Sequence, residues 1–506
     1  MRVRRDIEAC VPMRLYGMTR SQLAALFCSL AIIFIITLLV GLQGPDVLRG
    51  DAVLASQLPE KSVDLRKGPF VLRAPPLSVF SQELWLSAFI RRDKPKAGLL
   101  FNVNVTVEIK VHPETFNAKK LENTNELVFL TSPIHRSVML NCIKAVCDEL
   151  FLVHLIPIDY TRYVFTVQFD GLANSGSQWE DGQQLLHVID VEFHFHYYNT
   201  QFTYLELISR FVCFAFSEVS AVLFLSSLRN FALRDWTLEQ KYTALLLPLL
   251  MLFNNPFFPL RYFTSSWIVQ WLDNVFQATF AVAVLLFWIC LFHGMRAVRR
   301  TVCGFYLPKL AIVAAPWMTF IWFAAWNTQN QYKDVKFNLS LELRTIAYTG
   351  AVLICFGLIY VVVLLVLIFR AFTELGWLAY NSLRLKILIS LSSLLVVVIC
   401  LAIGLHFIFW NVVKISNSTM DPQQKTMRLD SPAVFNYRYR SAAEFSLVYG
   451  IVNAYVVVLA IIYSPSRRAV HEHSFKDYPS LSMVNGSDED IIYESDIETL
   501  RLRPAR

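Results

Sequence analysis

Eight apolar windows constrain this chain more than any other feature of its sequence. A hydrocarbon core about 30 Å thick needs about 20 predominantly apolar residues in each helix that crosses it. The windows lie at 21–42, 205–228, 243–257, 267–293, 310–327, 345–369, 387–413 and 441–463. The sequence therefore predicts a multi-pass α-helical membrane protein with eight spans, which are one signal anchor followed by a seven-helix bundle (205–463).

The composition excludes a soluble protein of this length. Apolar residues make up 55% of the chain, and the mean hydropathy is +0.45, values typical of membrane proteins. The net charge of +7 comes from Lys and Arg residues that cluster beside the spans, where membrane orientation explains them. We therefore expect membrane lipid around the spans and no nucleic-acid partner.

No catalytic signature is present in the sequence. We find no P-loop, no GxSxG, no HExxH and no kinase signature, and no residues arranged as nucleophile and base. The sequence predicts that the protein is not an enzyme, and it indicates no cofactor, no catalytic residue and no metal site.

The apolar stretch from Thr243 to His293 is long enough for two membrane elements. Asn254, Asn255 and Pro256 interrupt it, and Pro259 follows. Proline removes a backbone donor, and asparagine side chains satisfy freed backbone groups, so this run predicts a turn between two antiparallel helices. A stretch that failed to cross would place the arginine-rich segment after His293 outside the cell.

Arginine distribution sets the predicted orientation. The first twenty residues carry five arginines, whereas the twenty residues after the first span carry one, Arg49. The positive-inside rule therefore predicts a cytosolic N-terminus (1–20). The apolar run after Gln22 is too long for a typical signal-peptide core, so we interpret 21–42 as a signal-anchor span. Eight crossings return the tail, 464–506, to the cytosol.

About 160 residues between the first two spans, 43–204, are enough for a folded domain outside the cytosol. Three stretches alternate apolar and polar residues as strands do: "FNVNVTVEIKVH" (101–112), "YVFTVQFDG" (163–171) and "HVIDVEFHFHYY" (187–198). No comparable stretch shows a helical stripe. The sequence predicts an extracytosolic β-sandwich inserted after the signal anchor.

Two of the nine cysteines, Cys142 and Cys147, lie in this domain. In an oxidising compartment the obvious disulfide partner of each is the other, so we predict a small disulfide loop. The other seven cysteines fall in or beside spans or on the cytosolic side, where cysteine usually serves as a small packing residue.

Glycosylation sequons agree with this orientation. Three Asn-x-Ser/Thr sequons, at Asn104, Asn338 and Asn417, fall in segments that eight crossings place outside, and we predict a glycan at each. A fourth sequon, at Asn485, falls in the predicted cytosolic tail.

Polar residues at membrane depth are the best candidates for a site, because a charge in hydrocarbon is costly and normally faces a bundle interior or a wet cavity. Glu218 is the deepest of them. The other candidates are Asp273, Asn274 and Gln277 on the fourth span, His406 on the seventh and Asn453 on the eighth. They predict either a ligand cavity that opens outward or hydrogen bonds that fix helix packing. Glu206 and Arg210, four residues apart near a span end, predict an ion pair.

Two further patterns are weaker. His194 and His196 lie on one face of a predicted strand, where a divalent metal could bridge them, but no third ligand can be assigned, and a polar sheet face is the preferred interpretation. In the tail, Ser487 and Ser495 each precede an acidic residue by three positions, the pattern of acidophilic kinase sites. Such a tail is either read by sorting adaptors or merely solubilising.

Several segments resemble the transmembrane protein 181 family, in order and from about residue 12 to 498. They are "MRLYGMTRSQL", "SLRNFALRDWTLEQKY", "LLLPLLMLFNNPFFPL", "FYLPKL", "SAAEFSLVYGIVNAY", "IIYSPS" and "NGSDEDIIYESD". The resemblance implies a G-protein-coupled-receptor-like architecture, with a lumenal GOLD-type β-sandwich followed by a Wntless-like seven-helix domain.

The resemblance also implies a receptor-like role. The family is linked to host-cell susceptibility to bacterial cytolethal distending toxins, and its relatives handle secreted cargo in the Golgi and endosomes. We therefore expect a multi-pass protein of the plasma membrane or Golgi-endosomal membranes that binds an extracellular or lumenal protein ligand or toxin, with a lipid-bearing ligand included. The alternatives are a transporter and a non-signalling accessory subunit. Neither "NPxxY" nor a "DRY"-like triplet stands at a span end, so cargo binding is favoured over G-protein signalling.

Overall fold

The computed structural model describes residues 11–59, 64–92, 99–112, 127–142, 146–170, 188–296, 301–339, 342–375, 379–419 and 439–466. The tail that carries Asn485, Ser487 and Ser495 lies outside the described residues. So do the side chains of His406 and Asn417, although both residues belong to a helix.

The domain inserted between the first two spans is a β-sandwich, as predicted. Its strands are β1 (Leu48–Leu54), β2 (Phe70–Arg73), β3 (Leu84–Arg92), β4 (Leu99–Val111), β5 (Val128–Phe129), β6 (Ile134–Cys142), β7 (Leu150–Leu155), β8 (Tyr163–Asp170) and β9 (Val188–Tyr198). One sheet has the order β1-β9-β3-β7, and the other has β2-β8-β4-β5 with β6 also paired to β4. All pairs are antiparallel.

Alternation along the strands builds the core between the sheets. The odd-numbered residues of β4 from Val103 to Val111 are buried, and so are Phe165, Phe193 and Phe195. Successive strand residues point to opposite faces, so the alternating stretches of the sequence predict both the strands and the face that each buries. The Phe169 and Phe193 rings stack across the two sheets with centroids 6.3 Å apart.

The first sheet is covered on both faces. The residues of β3 and β9 that point away from the sandwich core, such as Trp85, His194 and His196, are also buried. Trp85 and Tyr198 pack in the same hydrophobic cluster as the membrane helices. The sandwich is therefore seated on the membrane domain through this outer face.

Within the described ranges eight helices are long and apolar enough to cross a membrane, which confirms the eight predicted spans. They are α1 (Arg20–Leu42), α2 (Thr200–Leu228), α3 (Leu238–Asn254), α4 (Trp267–Gly294), α5 (Leu307–Lys333), α6 (Leu343–Leu375), α7 (Ala379–Thr419) and α8 (Ala442–Tyr463). Thr19, Asn199, Thr237, Ser266 and Ser441 cap the starts of five of them with side-chain oxygens, which satisfies backbone donors that a helix start leaves free.

The predicted turn separates α3 from α4. The α3 helix ends at Asn254, and Asn255 takes the left-handed conformation with φ of 48°. A 3-10 helix follows at Phe258–Tyr262, with Pro259 in its first turn, where the missing N–H costs least. The two elements are therefore distinct, and α3 is extended outward by this short helix.

The signal-anchor helix α1 is part of the bundle, packed along α8. A Cβ atom on Gly41 would overlap the backbone of Ala443, and one on Gly450 would overlap the side chain of Thr37. Both glycines therefore allow the two helices to approach more closely than larger residues would permit.

Two adjacent strands join the sandwich directly to two helices. Strand β1 begins six residues after α1 ends, and only Asn199 separates β9 from α2. These strands pair with each other from Leu48 to Leu54, and the Asn199 N–H donates to the Val47 carbonyl at 2.9 Å. The domain is thus inserted through two neighbouring, hydrogen-bonded strands.

The first and last described segments meet at the face of the bundle opposite the sandwich. The Arg14 N–H donates to the Ser464 carbonyl at 2.8 Å, and the Ser466 N–H donates to the Pro12 carbonyl at 2.9 Å. Beside them, Arg384 binds the fully buried carboxylate of Glu239.

Candidate functional site

A buried ionic cluster, which we call the junction cluster, joins the sandwich to the membrane domain. It consists of Glu83 just before β3, His154 on β7 and Arg261 in the short helix after α3. One Glu83 oxygen accepts from Arg261 Nη2 at 2.8 Å, and the other lies 3.1 Å from His154 Nε2. Trp85 stacks on the His154 ring at 5.1 Å. The cluster therefore connects β3 and β7, two neighbouring strands of the first sheet, to the membrane domain.

The electrostatics of the junction cluster favour an ionised Glu83. Burial alone raises the pKa of a carboxyl group, but the hydrogen bond and charge of His154 and the charge of Arg261 outweigh it. The pKa of Glu83 is therefore lowered from its ordinary value near 4.5. Its stabilising contribution is complete above that value and is lost only as pH falls through the lower, folded-state pKa.

Backbone contacts surround the junction cluster. The Thr203 hydroxyl of α2 donates to the Phe80 carbonyl at 2.8 Å, and Gln82 Nε2 donates to the Thr203 hydroxyl at 3.0 Å. The loop after α5 adds the Val335 carbonyl, which accepts from the His154 N–H at 3.0 Å. Three parts of the membrane domain therefore hold the sandwich in one position.

A second buried cluster, the Arg210 network, lies in the bundle below the junction. Arg210 on α2 donates to Glu206 Oε1 at 2.8 Å and to Asp273 Oδ1 at 2.9 Å. Asn255 Nδ2 also donates to Asp273 Oδ1, at 2.8 Å. The Arg210 guanidinium lies 4.0 Å from the centre of the Phe258 ring. Arg210 is 2% exposed, and its paired and stacked setting is what a buried cation needs.

Neutral polar residues extend the Arg210 network inward. The Tyr449 ring of α8 lies 5.1 Å from the Arg210 guanidinium, and its hydroxyl accepts from Gln277 Nε2 at 2.9 Å. One turn further, Asn453 and Asn254 exchange hydrogen bonds at 2.8 and 3.0 Å. Helices α2, α3, α4 and α8 are therefore tied together by polar contacts.

The structure brings together three of the predicted cavity residues and separates one. Asp273, Gln277 and Asn453 all belong to the Arg210 network, where they bind other side chains. Asn274 is half-buried beside them on α4. Glu218 lies on the exposed face of α2, outside the bundle, because its position turns it away from α3 and α8. Among the described candidates Glu218 therefore does not lie with the others, and the ligand cavity stays a prediction.

The sites of predicted modification differ in exposure. Cys142 and Cys147 are joined by a disulfide whose Cα atoms lie 4.1 Å apart. Asn104 is exposed on β4. Asn338 is 8% exposed, in the loop that docks against the sandwich. A glycan needs an accessible amide, so the predicted glycan on Asn338 disagrees with the packing of that loop.

His194 and His196 do lie on one face of β9, with ring centres 5.9 Å apart. His194 Nε2 lies 3.1 Å from Glu192 Oε1, whose carboxylate also pairs with Arg91. Among the described residues no group of three or more His, Cys, Asp and Glu side chains is placed to hold a metal ion. Burial lowers the pKa of His196 to about 3, so this ring is neutral at physiological pH.

The sequence did not point to the junction cluster. Glu83, His154 and Arg261 lie in separate segments, and none stands out in a motif. The signals that could have found them are modest: a charge in the loop between two spans, and a histidine within an otherwise apolar strand. Only the fold brings them together.

A sandwich inserted before a seven-helix bundle defines the class of this protein. Residues 199–467 match the family described as Wntless-like, transmembrane domain, and residues 68–198 match the family described as TMEM181, GOLD domain. The two matches meet where β9 ends and α2 begins. The protein is therefore a multi-pass membrane protein with a GOLD domain and a Wntless-like domain.

The similarity extends over nearly the whole chain. This chain is 32% identical over 500 residues to transmembrane protein 181 of Homo sapiens, in an alignment that covers 98% of this chain and 97% of the human protein. The chain belongs to the transmembrane protein 181 family. This membership supports a membrane receptor or accessory protein, and neither matched family is one of enzymes.

Proposed function

We propose that this protein is a receptor-like membrane protein whose sandwich captures a protein ligand, or one that carries lipid, on the extracellular or lumenal side. The observation that supports this most is the junction cluster, which seats the sandwich on the bundle as one unit. A ligand then meets a single fixed surface, and its binding need not order a mobile domain.

The same geometry links the sandwich, where the ligand binds, to side chains inside the helix bundle. Arg261 of the junction cluster and Phe258 of the Arg210 network belong to one short helix, Phe258–Tyr262. A displacement of the sandwich that moves Arg261 therefore moves Phe258 against Arg210. This arrangement supports a receptor or sorting receptor in which ligand binding outside is felt within the bundle.

A receptor is favoured over a transporter by the way the buried polar groups are used. A transporter places polar groups and broken helices around a substrate site near the membrane midplane. In the described part of the bundle, Asp273, Gln277 and Asn453 instead bind neighbouring side chains. These pairings are better suited to helix packing than to a transport path.

The proposal places both termini in the cytosol and the sandwich outside. The arginine-rich start and the meeting of residues 11–17 with 463–466 opposite the sandwich support this orientation. The tail, with Ser487 and Ser495, would then be available to kinases and sorting adaptors. The compartments that fit are the plasma membrane and the Golgi-endosomal membranes.

A bacterial cytolethal distending toxin is one ligand within this proposal, supported by family membership. The test compares binding of labelled, purified toxin to cells that lack the protein and to cells that express it. Expression should raise the amount of surface-bound toxin severalfold over that on cells that lack the protein. Glu83→Gln should reduce that gain, whereas Glu108→Gln, on a partly exposed position of β4 in the other sheet, should not.

Proximity labelling from the sandwich and solute flux in reconstituted vesicles separate the remaining possibilities. A receptor should label a small set of extracytosolic proteins and carry no flux. Robust flux without a ligand would overturn the proposal in favour of a transporter. A labelled set restricted to one membrane subunit would favour the accessory role.

A further inference from the structure

Glu218 is a charged residue on the outside of the bundle. It is exposed on α2, while Ser217 and Ala221, on the neighbouring face of the same helix, are buried against the bundle. None of the described residues forms a hydrogen bond or ion pair with Glu218. The bundle of this chain therefore does not supply a partner for its carboxylate.

The depth of Glu218 makes its position unusual. Helix α2 ends at Leu228, ten residues further along, or about 15 Å at 1.5 Å per residue. Half of a hydrocarbon core about 30 Å thick is the same distance. Glu218 thus lies near the middle of the membrane, where an unpaired charge is costly and an ionisable side chain normally finds a partner.

The surroundings of Glu218 form a surface suited to another helix. Phe211, Ala215, Val222 and Leu225 are exposed on the same side of α2. Together with Glu218 they recur at alternating spacings of four and three residues. This spacing is that of the seam between two helices in a left-handed pair. We call these five residues the Glu218 seam.

We propose that the Glu218 seam is a docking surface for a transmembrane helix of a different protein that places a lysine or arginine at mid-membrane depth. Charge complementarity selects this partner, because a basic side chain would neutralise the carboxylate where lipid cannot. A second copy of this chain docked through the same seam would instead bring two carboxylates together. The proposal is independent of the function proposed above.

A defined probe tests the charge preference. The probe is a synthetic single-span helix of leucine and alanine with one central lysine, labelled for energy transfer to the full-length protein in phosphatidylcholine vesicles. The matched control probe has leucine in place of the lysine. We expect the lysine helix to bind at least about tenfold more tightly than the control, and Glu218→Gln to remove that difference.

A relocated carboxylate tests the seam itself. In the variant Glu218→Gln with Phe216→Glu, the carboxylate moves to another exposed face of α2, only about 3 Å away along the helix axis. Preference for the lysine helix should not return if the seam contributes to docking. Full return of the preference for the lysine helix would overturn a role of the seam in docking. Equal binding of both probes to the unaltered protein would overturn the charge preference.

Cross-linking in cells tests whether a natural helix occupies the seam. A photoreactive amino acid at Val222 should give one discrete cross-linked product. The product should still form in Glu218→Asp but not in Glu218→Gln. Addition of the lysine helix before irradiation should block its formation, whereas the leucine helix should not. A product of twice the chain mass would overturn the proposal in favour of a second copy. Failure to cross-link, with normal expression, would equally overturn it.

Discussion

At the residue scale, the same type of side chain serves different purposes according to the face that it occupies. Asp273 and Glu218 are both carboxylates on apolar helices, but Asp273 is bound by Arg210 and Asn255, whereas Glu218 faces outward. Because both helices are apolar on nearly every side, their sequences could not indicate which face contacts neighbours. The sequence therefore identifies the polar residues and the predicted Glu206–Arg210 ion pair, which is confirmed, but not the partners of Asp273.

His196 gives the sandwich a predictable dependence on pH. Its folded-state pKa of about 3 lies below the ordinary value of 6.5, so the unfolded chain binds more protons between these values. The free energy of unfolding should fall by up to about 1.4 kcal/mol per pH unit as pH decreases through that window. His196→Phe should flatten this dependence in thermal unfolding measurements.

The control for this prediction is Ser87→Ala, at a buried position of β3 beside β9. It should leave the pH dependence unchanged, because it removes no ionisable group. Neither ring nitrogen of His196 is hydrogen-bonded by a described residue, so the phenylalanine variant should also be no less stable at neutral pH. An unchanged slope in His196→Phe would contradict the assignment.

The accessibility of the two described sequon asparagines predicts which of them carries a glycan. Asn104 is exposed, whereas Asn338 is 8% exposed beside the sandwich. We expect Asn104→Gln to increase electrophoretic mobility by the mass of one glycan, and Asn338→Gln to leave it unchanged. Digestion with a glycosidase should remove the difference between the unaltered protein and Asn104→Gln. A shift in Asn338→Gln would mean that its loop opens during synthesis.

At the element scale, strand positions followed from the sequence better than helix contacts did. The alternation in 101–112 and 187–198 predicted β4 and β9 to within two residues, because an alternating pattern specifies both a strand and its buried face. Apolar helices carry no such marker. The sequence accordingly predicts the helix α1 but not its close packing against α8.

Packing of α1 on α8 should depend on Gly41. Its substitution by leucine would force α1 away from Ala443, and overpacking of this kind typically costs about 1–3 kcal/mol. We expect Gly41→Leu to lower thermal stability in detergent and to reduce surface expression. Gly357→Leu on α6 is the matched control, because a Cβ there meets no neighbouring atom within 4 Å. Equal effects of the two changes would show that helix contact is not responsible.

At the scale of the whole molecule, the junction cluster determines whether the sandwich and the bundle act as one body. Glu83 is 5% exposed and contacts both Arg261 and His154. Loss of one partner from a buried ion pair typically costs about 3–5 kcal/mol, since the other charge is left unpaired. The connection is therefore sensitive to single substitutions on either side.

A double-mutant cycle tests this connection. Arg261→Met should expose the segments around β3 and β7 to limited proteolysis at neutral pH, because Glu83 loses a buried partner. Glu83→Gln combined with Arg261→Met should be less severe than the sum of the single changes. Glu108→Gln, which alters a partly exposed pair with Lys110 at 3.6 Å, is the control. Strict additivity would contradict a direct interaction between Glu83 and Arg261.

The direct continuation of β1 and β9 into α1 and α2 has a mechanical consequence. A ligand that pulls the sandwich away from the membrane stretches both strands lengthwise, from ends that lie side by side. The seven paired positions between them, and the longer pairing of β9 with β3, then share the load instead of opening one after another. A pulling force on a captured ligand would therefore be transmitted to the membrane helices before the sandwich unfolds.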